Sequence, residues 1–312
     1  MKIDIIIPNY NGSHLVKKNL PAVLRAIKNH HSKIIIVDDG SNQDDRDNLR
    51  EIAREYINKR EPVKLVEHIM NKGFSSAVNT GVKNSDADIV VLLNTDVVPR
   101  ANFLDSPSEK LSEDKLIFGI GCMDESIENG KKVLRGIGKA RWEKGMLLHG
   151  EGEINTEKTF WVSGGSSFIR RDLYLKFGGM DEIYNPFYWE DIDLSYIAQK
   201  AGFKVVFDKN SVVEHLHDEG AIKSNYKKNR ITTIAYRNQF IFIWKNISDS
   251  NLLMNHLLLL PINIFNALRR GDGEFIKGFL AALVKLPTIY NRRNFQKRFY
   301  KVTDSEILNS FK

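Results

Sequence analysis

Asp88–Pro99 reads DIVVLLNTDVVP, an apolar run that stops in Asn94, Thr95 and Asp96. Five successive apolar residues suit a strand buried on both faces, as in the middle of a parallel sheet. Its oxygen-rich end poses a chemical question. A hard cation such as Mg²⁺ needs only one or two protein carboxylates when substrate phosphates and water complete its octahedron. Asp96 is therefore sufficient if a diphosphate arrives with the metal, and Asn94 adds a neutral oxygen or a hydrogen bond. A plain Asn-Thr-Asp turn is the other reading of the same residues.

Upstream, strand and helix signals alternate. KIDIIIP is strand-like, and HLVKKNLPAVLRAIKN sets Leu15, Leu20, Val23, Leu24 and Ile27 at helical spacing. KIIIVDDGS is a second apolar run, and DDRDNLREIAREYINK a helix with an acidic first turn. VKLVEH is a third strand and FSSAVNTGVKNS a helix before the run quoted above. This order predicts an α/β fold, a mostly parallel sheet flanked by helices, with the ligand beyond the carboxyl ends of the strands. Asp38-Asp39 and Asn94-Thr95-Asp96 fall there. A strand-end carboxylate such as Asp39 accepts hydrogen bonds from a base or a ribose, or caps the next helix. Asn71, Lys72 and Gly73 precede a helix beginning near Ser75. Free backbone N–H groups there suit phosphate, although the same residues also read as a plain helix start.

From Ala101 to Phe160 the signal weakens, and Gly136, Gly138, Gly145, Gly150 and Gly152 suggest turns or mobile loops. A strand and a helix ending near Gly178 follow, then a helix ended by Gly202 and another strand. YWEDIDL sets Glu190, Asp191 and Asp193 at a helix entry. Three neighbouring carboxylates raise one another's pKa and make a general base plausible; a solvated first turn explains them too. Tyr188 and Trp189 beside them offer a ring on which a sugar can rest, or a packing anchor. His215, with His217 in reserve, is a candidate second ligand beside Asp96.

The chain has 312 residues, a net charge of +7 and one cysteine, Cys122, so no internal disulfide forms. That fits a reducing, cytoplasmic setting. From Lys223 to Lys312 there are 16 Lys and Arg against 5 Asp and Glu, so the basic character belongs to the last third. Beyond Asn246 apolar helix signals alternate with basic residues, and no 18-residue stretch is uninterrupted. Such a tail suits an anionic membrane surface, giving a peripheral place on the inner face of the cell membrane; a homodimer interface or a helical cap fits equally.

In order along the chain, IIIPNYNG, IIIVDDGS, NKGFSSAVNTG, LLNTD, VSGGSSFIRRDLY, GGMDE and WEDIDL resemble the family 2 glycosyltransferases, inverting enzymes of the GT-A fold, and most of all their rhamnosyltransferase-like branch. The likeness spans roughly residues 3 to 245. It implies a GT-A catalytic domain over 1–245, with a nucleotide-binding half (1–100) and an acceptor-binding half (101–245), and a basic helical extension over 246–312. It further implies a nucleotide-diphosphate sugar donor, a saccharide or lipid-linked saccharide acceptor in cell-surface polysaccharide or glycan synthesis, and a divalent metal, Mg²⁺ or Mn²⁺. By the same resemblance Pro8, Tyr10, Asn11 and Asp39 line the nucleotide pocket, and Asn71, Lys72 and Gly73 flank the diphosphate. Asn94 replaces the first Asp of the family's D-x-D. Asp96 and His215 hold the metal, Gly164 and Gly165 lie near the donor sugar, and Asp191 is the base, with Trp189 and Glu190 at the substrate. The family often has an Arg four residues after the position of Asp193, where Ile197 stands here. Other classes fit less well. A sugar-nucleotide nucleotidyltransferase needs a Gly-rich phosphate loop that PNYNGS is not, and no G-x-G-x-x-G follows the first strand. A nucleic-acid binder would leave the acid clusters unexplained, so nucleic acid is not an expected partner.

Overall fold

The computed structural model describes residues 1–128, 131–215 and 226–311. His217 lies outside the described residues. The first half alternates as its hydrophobic pattern predicts: β1 (Ile3–Asn9), α1 (Ser13–Ile27), β2 (Ser32–Asp38), α2 (Gln43–Asn58), β3 (Val63–Glu67), α3 (Phe74–Lys83) and β4 (Ile89–Leu93). These four strands lie parallel in the order β3-β2-β1-β4. All five residues of β4 are buried, as the opening run requires. Because strand side chains alternate between faces, Ile5, Ile7, Ile34, Ile36, Val91 and Leu93 pack with α1 and α2. Their neighbours Ile6, Ile35, Val37, Val90 and Leu92 pack with α3 on the other side.

Past β4 the sheet becomes mixed. β5 (Val97–Pro99), β6 (Ile117–Glu128), β7 (Lys131–Arg135), β10 (Ser166–Arg170) and β11 (Lys204–His215) extend it, with β10 antiparallel between β4 and β6. The region read as turns and mobile loops therefore holds ordered structure: α4 (Asp105–Glu113), β6 within the sheet, and a hairpin of β8 (Gly138–Glu143) and β9 (Met146–Glu151). The misleading signal was glycine used for proximity. A Cβ on Gly119 would stand 3.0 Å from the Phe168 carbonyl, and one on Gly138 only 2.0 Å from the Trp161 ring. Gly145, with φ +75°, closes the hairpin turn instead.

Two helices, α5 (Arg171–Lys176) and α6 (Glu190–Lys200), flank β10 and β11 in sequence. The C-terminal third is helical: α7 (Lys228–Asn246), α8 (Ser250–Arg270), α9 (Gly273–Leu283), α10 (Leu286–Gln296) and α11 (Asp304–Asn309). These helices share one apolar cluster with the β8–β9 hairpin and α6. Two fully buried lysines tie them to the sheet-bearing part. Lys245 Nζ lies 2.7 Å from Asp193 and 2.6 Å from Asp181, and Lys200 Nζ lies 2.9 Å from Asp304. Buried ammonium groups persist only when paired in this way.

Candidate active site

Sheet register assembles the site. Ser166 pairs with Leu93, so the Gly164-Gly165 loop lies beside the end of β4. There the Asn94 N–H donates to the Gly165 carbonyl at 3.0 Å. A Cβ on Gly165 would meet Asn94 Nδ2 at 2.8 Å, so the approach depends on glycine. One residue earlier, the Gly164 N–H donates to Asp191 Oδ2 at 3.0 Å, while Oδ1 accepts the Ile192 N–H at 2.8 Å. The Asn94 turn and the acid at the start of α6 are thus joined through two consecutive glycines.

The three acids of YWEDIDL do not form one cluster. Asp193 is fully buried and turned into the core, where it accepts from Tyr184 Oη (2.8 Å), Lys245 Nζ (2.7 Å) and Asn246 Nδ2 (2.6 Å). Glu190 and Asp191 remain at the helix start. Burial raises the Asp191 pKa, and the Gly164 and Ile192 amides hold it back only in part. Glu190 is 5% exposed, its Oε2 has no hydrogen-bond partner, and burial, then the Asp191 charge, pushes its carboxyl well above the usual range. Trp189 is 3% exposed, its ring edge-on to His149 at 4.7 Å and tilted against Phe242 at 5.1 Å. Tyr188, at 40%, is the ring of the pair that reaches solvent. Both residues have positive φ, 70° and 79°, a strained backbone for large side chains. Asn238 of α7 holds this loop through the carbonyls of Tyr184, Phe187 and Tyr188. Asn238 carried no signal in the sequence, since its partners are backbone atoms some fifty positions away.

Register also brings the late histidine to Asp96. His215 pairs with Val97 across β11 and β5, and Val213 pairs with Asp124 of β6. The ring therefore sits between two acids, with Nε2 3.4 Å from Asp96 and Nδ1 2.7 Å from Asp124. Burial opposes its charge, but the Asp124 hydrogen bond and then Asp96 outweigh it, and the pKa is pushed up to about 9. Asp124 was not foreseen. Its arrangement is the carboxylate–histidine pairing that orients a metal-ligating imidazole. Once deprotonated, His215 Nε2 would offer a nitrogen 3.4 Å from the Asp96 carboxylate, a pair that would suit a divalent cation drawing its remaining ligands from elsewhere. Among the described residues no cage of three or more such side chains exists.

The other predicted residues gather at the ends of β1 and β2, next to β4 because β1 pairs with it. Pro8 lies near the end of β1 and Tyr10 just past it. Asn11, with φ 53°, receives the Asn42 N–H on its side-chain oxygen at 2.9 Å and so holds the turn after Asp39. Asp39 is 3% exposed and accepts from the backbone N–H groups of Lys72 (2.9 Å) and Gly73 (2.8 Å), with His68 Nδ1 at 2.7 Å. Those two amides are therefore not free; the anion at the entry to α3 is a protein carboxylate. The side chains of Asn71 and Lys72 stay exposed beside it. Ile197, in place of the expected Arg, is fully buried core.

One sheet that is parallel through β4 and mixed beyond it, flanked by helices and with acids at the strand ends, defines a GT-A-like fold, and solved structures agree. The S. aureus TarS fragment 1-349, in complex with UDP-GlcNAc, is similar with a TM-score of 0.60 at 15% identity, over 100% of this chain and 91% of that one. Mannosyltransferase PcManGT from Pyrobaculum calidifontis, in complex with GDP-Man and Mn²⁺, is similar with a TM-score of 0.57 at 16% identity, over 95% and 84%. Residues 4–177 match the family described as Glycosyl transferase family 2, and the chain belongs to that family. Among curated relatives, the dolichol-phosphate mannosyltransferase of Pyrococcus furiosus is 30% identical over 145 residues, 46% of this chain and 34% of that protein. The hyaluronan synthase of Pasteurella multocida is 25% identical over 235 residues, 65% and 24%. The matched part is therefore about a third or less of either relative's length.

Proposed function

We propose that the protein is an inverting glycosyltransferase of the rhamnosyltransferase-like branch, moving a sugar from a nucleoside-diphosphate donor to a hydroxyl of a saccharide or lipid-linked saccharide. The observation that carries this reading is the pair of contacts from Asn94 to Gly165 and from Gly164 to Asp191, 3.0 Å each, which sets a raised-pKa carboxylate beside the donor end of β4. Asp191 takes the proton of the acceptor hydroxyl. The acceptor oxygen bonds to the anomeric carbon from the face opposite the diphosphate, and the bond to the departing oxygen breaks with its electron pair. Gly164 and Ile192 fix the carboxylate through their amides and leave lone pairs on both oxygens for the proton.

Asp39 and Asn11 shape the nucleotide pocket, and exposed Lys72 lies where it meets the diphosphate. Asp96 and His215, the latter oriented by Asp124, hold Mg²⁺ or Mn²⁺, which supplies Lewis-acid stabilisation of charge on the leaving group. Tyr188 faces the sugars, with Glu190 and Trp189 buried behind it at the substrate side. Residues 1–245 are read as the catalytic domain and 246–312 as its extension.

Incubation with UDP- and GDP-sugars, Mn²⁺ and alkyl glycoside acceptors should release nucleoside diphosphate. Asp191→Asn should keep donor affinity and lose about 10²- to 10⁴-fold in turnover. Retention of more than about a tenth of wild-type turnover would remove Asp191 as the base.

A further inference from the structure

Helix α8 is amphipathic in the wrong sense for a helix facing water. Three of its polar residues bond back to the protein, and His256 is the buried one. His256 is 1% exposed, accepting from Trp244 Nε1 at 2.9 Å and donating from Nδ1 to the Gly145 carbonyl at 2.6 Å. Asn255 accepts from Trp142 Nε1, and Asn263 donates to the Lys144 carbonyl, both at 2.9 Å. The outward stripe is Met254, Leu257, Leu258, Ile262, Phe265 and Leu268, each more than half exposed. Their spacing of three, one and four residues keeps them on one side of the helix. No Asp, Glu, Lys or Arg occurs from Ser250 to Leu268, and Arg269 and Arg270 follow at once.

The next helices continue the pattern. On α9, Leu280 (54% exposed) lies three residues from Lys277, Val284 (83%) caps the helix, and Tyr290 on α10 is 65% exposed. An exposed apolar stripe of this length, with basic side chains at its end, marks something that covers it.

We propose that this face seats the protein on an anionic lipid bilayer, with α8 lying in the headgroup plane. Charge decides the occupant. Anionic headgroups complement Arg269, Arg270 and Lys277 at the edge of the stripe, whereas a second copy would bring the same positive charge to the contact. Spanning the bilayer is disfavoured for a second reason, although α8 is long and apolar enough by length and composition. Insertion would strip Asn255, His256 and Asn263 of their partners on the β8–β9 hairpin and Trp244, leaving polar groups in hydrocarbon. The inference rests on α8 and its neighbours, not on the transfer reaction, so vesicle binding and catalysis can fail separately.

The test is flotation of the full chain with phosphatidylcholine vesicles, with and without a third of phosphatidylglycerol. Binding should be at least tenfold stronger to the anionic vesicles and fall with added salt. Leu258→Glu with Phe265→Glu should lose at least tenfold while the thermal midpoint stays unchanged, because both side chains already face water. Arg269→Glu with Arg270→Glu should lose at least twentyfold, about fivefold for each basic residue removed. Equal binding to neutral and anionic vesicles, or retention within twofold by the Leu258/Phe265 pair, overturns the proposal. So does a wild-type dimer in sedimentation velocity that the same pair dissociates, since it would assign the face to a second copy.

Discussion

A base that works near neutral pH must be held away from water yet keep room for a proton, and Asp191 meets both conditions. Burial raises its pKa, and two backbone amides fix it without neutralising it. Only the ionised form accepts a proton, so kcat/KM should fall with acid through a limb above the ordinary aspartate range. A pH–rate profile with its limb in that ordinary range would show that the burial is not felt in the working enzyme. The metal pair is a separate matter. Asp96→Ala should weaken nucleotide binding in the presence of Mn²⁺ and leave binding in chelator unchanged. Asp124→Asn, which keeps both proposed ligands, should weaken the Mn²⁺-dependent part about 10- to 100-fold. Calorimetry with and without chelator measures both, and equal binding in all conditions would rule out the metal role. Asp96, Asp191 and His215 were legible as strand-end or helix-entry chemistry. Asp124 was not, because only the pairing of β11 with β6 sets it against His215.

The loops between β2, β3 and α3 act as a single element. Asp39 clamps the entry to α3, and Gly40 lets the turn after it close onto that segment. Gly40 has φ +69°, and a Cβ there would lie 2.2 Å from the Met70 carbonyl carbon and 2.4 Å from the Asn71 nitrogen. Both neighbours are backbone, so neither yields cheaply. Gly40→Ala should cost more than about 2 kcal/mol by urea denaturation, combining a disfavoured φ with a steric shift of the loop. Gly150→Ala, with nothing within 4 Å and no positive φ, is the control and should stay within about 0.5 kcal/mol of wild type. The contrast also explains which elements could be read from the chain. The four strands and three helices through β4 follow from apolar periodicity and appear where that periodicity places them. β6 escaped because Gly119 and Gly121 interrupt its apolar run, and close packing against β10 and Val162 uses glycine where a sequence reading sees a loop.

At the scale of the molecule, the basic helices reach the sheet-bearing part through buried charge. Composition marks where they begin, but it does not tell what they pack on; Lys245 looks like one more basic residue and is in fact wholly enclosed. It bonds Asp193 of α6 and Asp181 of the loop before it, and Asp193 stands two residues from Asp191 on the same helix. Removing Lys245 would take the contacting ammonium from two buried carboxylates, leaving Arg292 3.6 Å from Asp181 and Asp193 with the neutral donors Tyr184 and Asn246. Lys245→Met should therefore cost about 3–5 kcal/mol, the usual penalty for breaking a buried pair from one side. Adding Asp193→Asn removes one stranded charge while keeping an oxygen for Tyr184. The double variant should then recover part of the stability, and more of the turnover, because α6 no longer has to move to solvate Asp193. Urea midpoints and nucleoside diphosphate release on the same preparations distinguish the causes. Recovery in both would trace the loss to uncompensated charge beneath Asp191, the proposed base, whereas a double variant no better than Lys245→Met would trace it to the packing of the lysine stem.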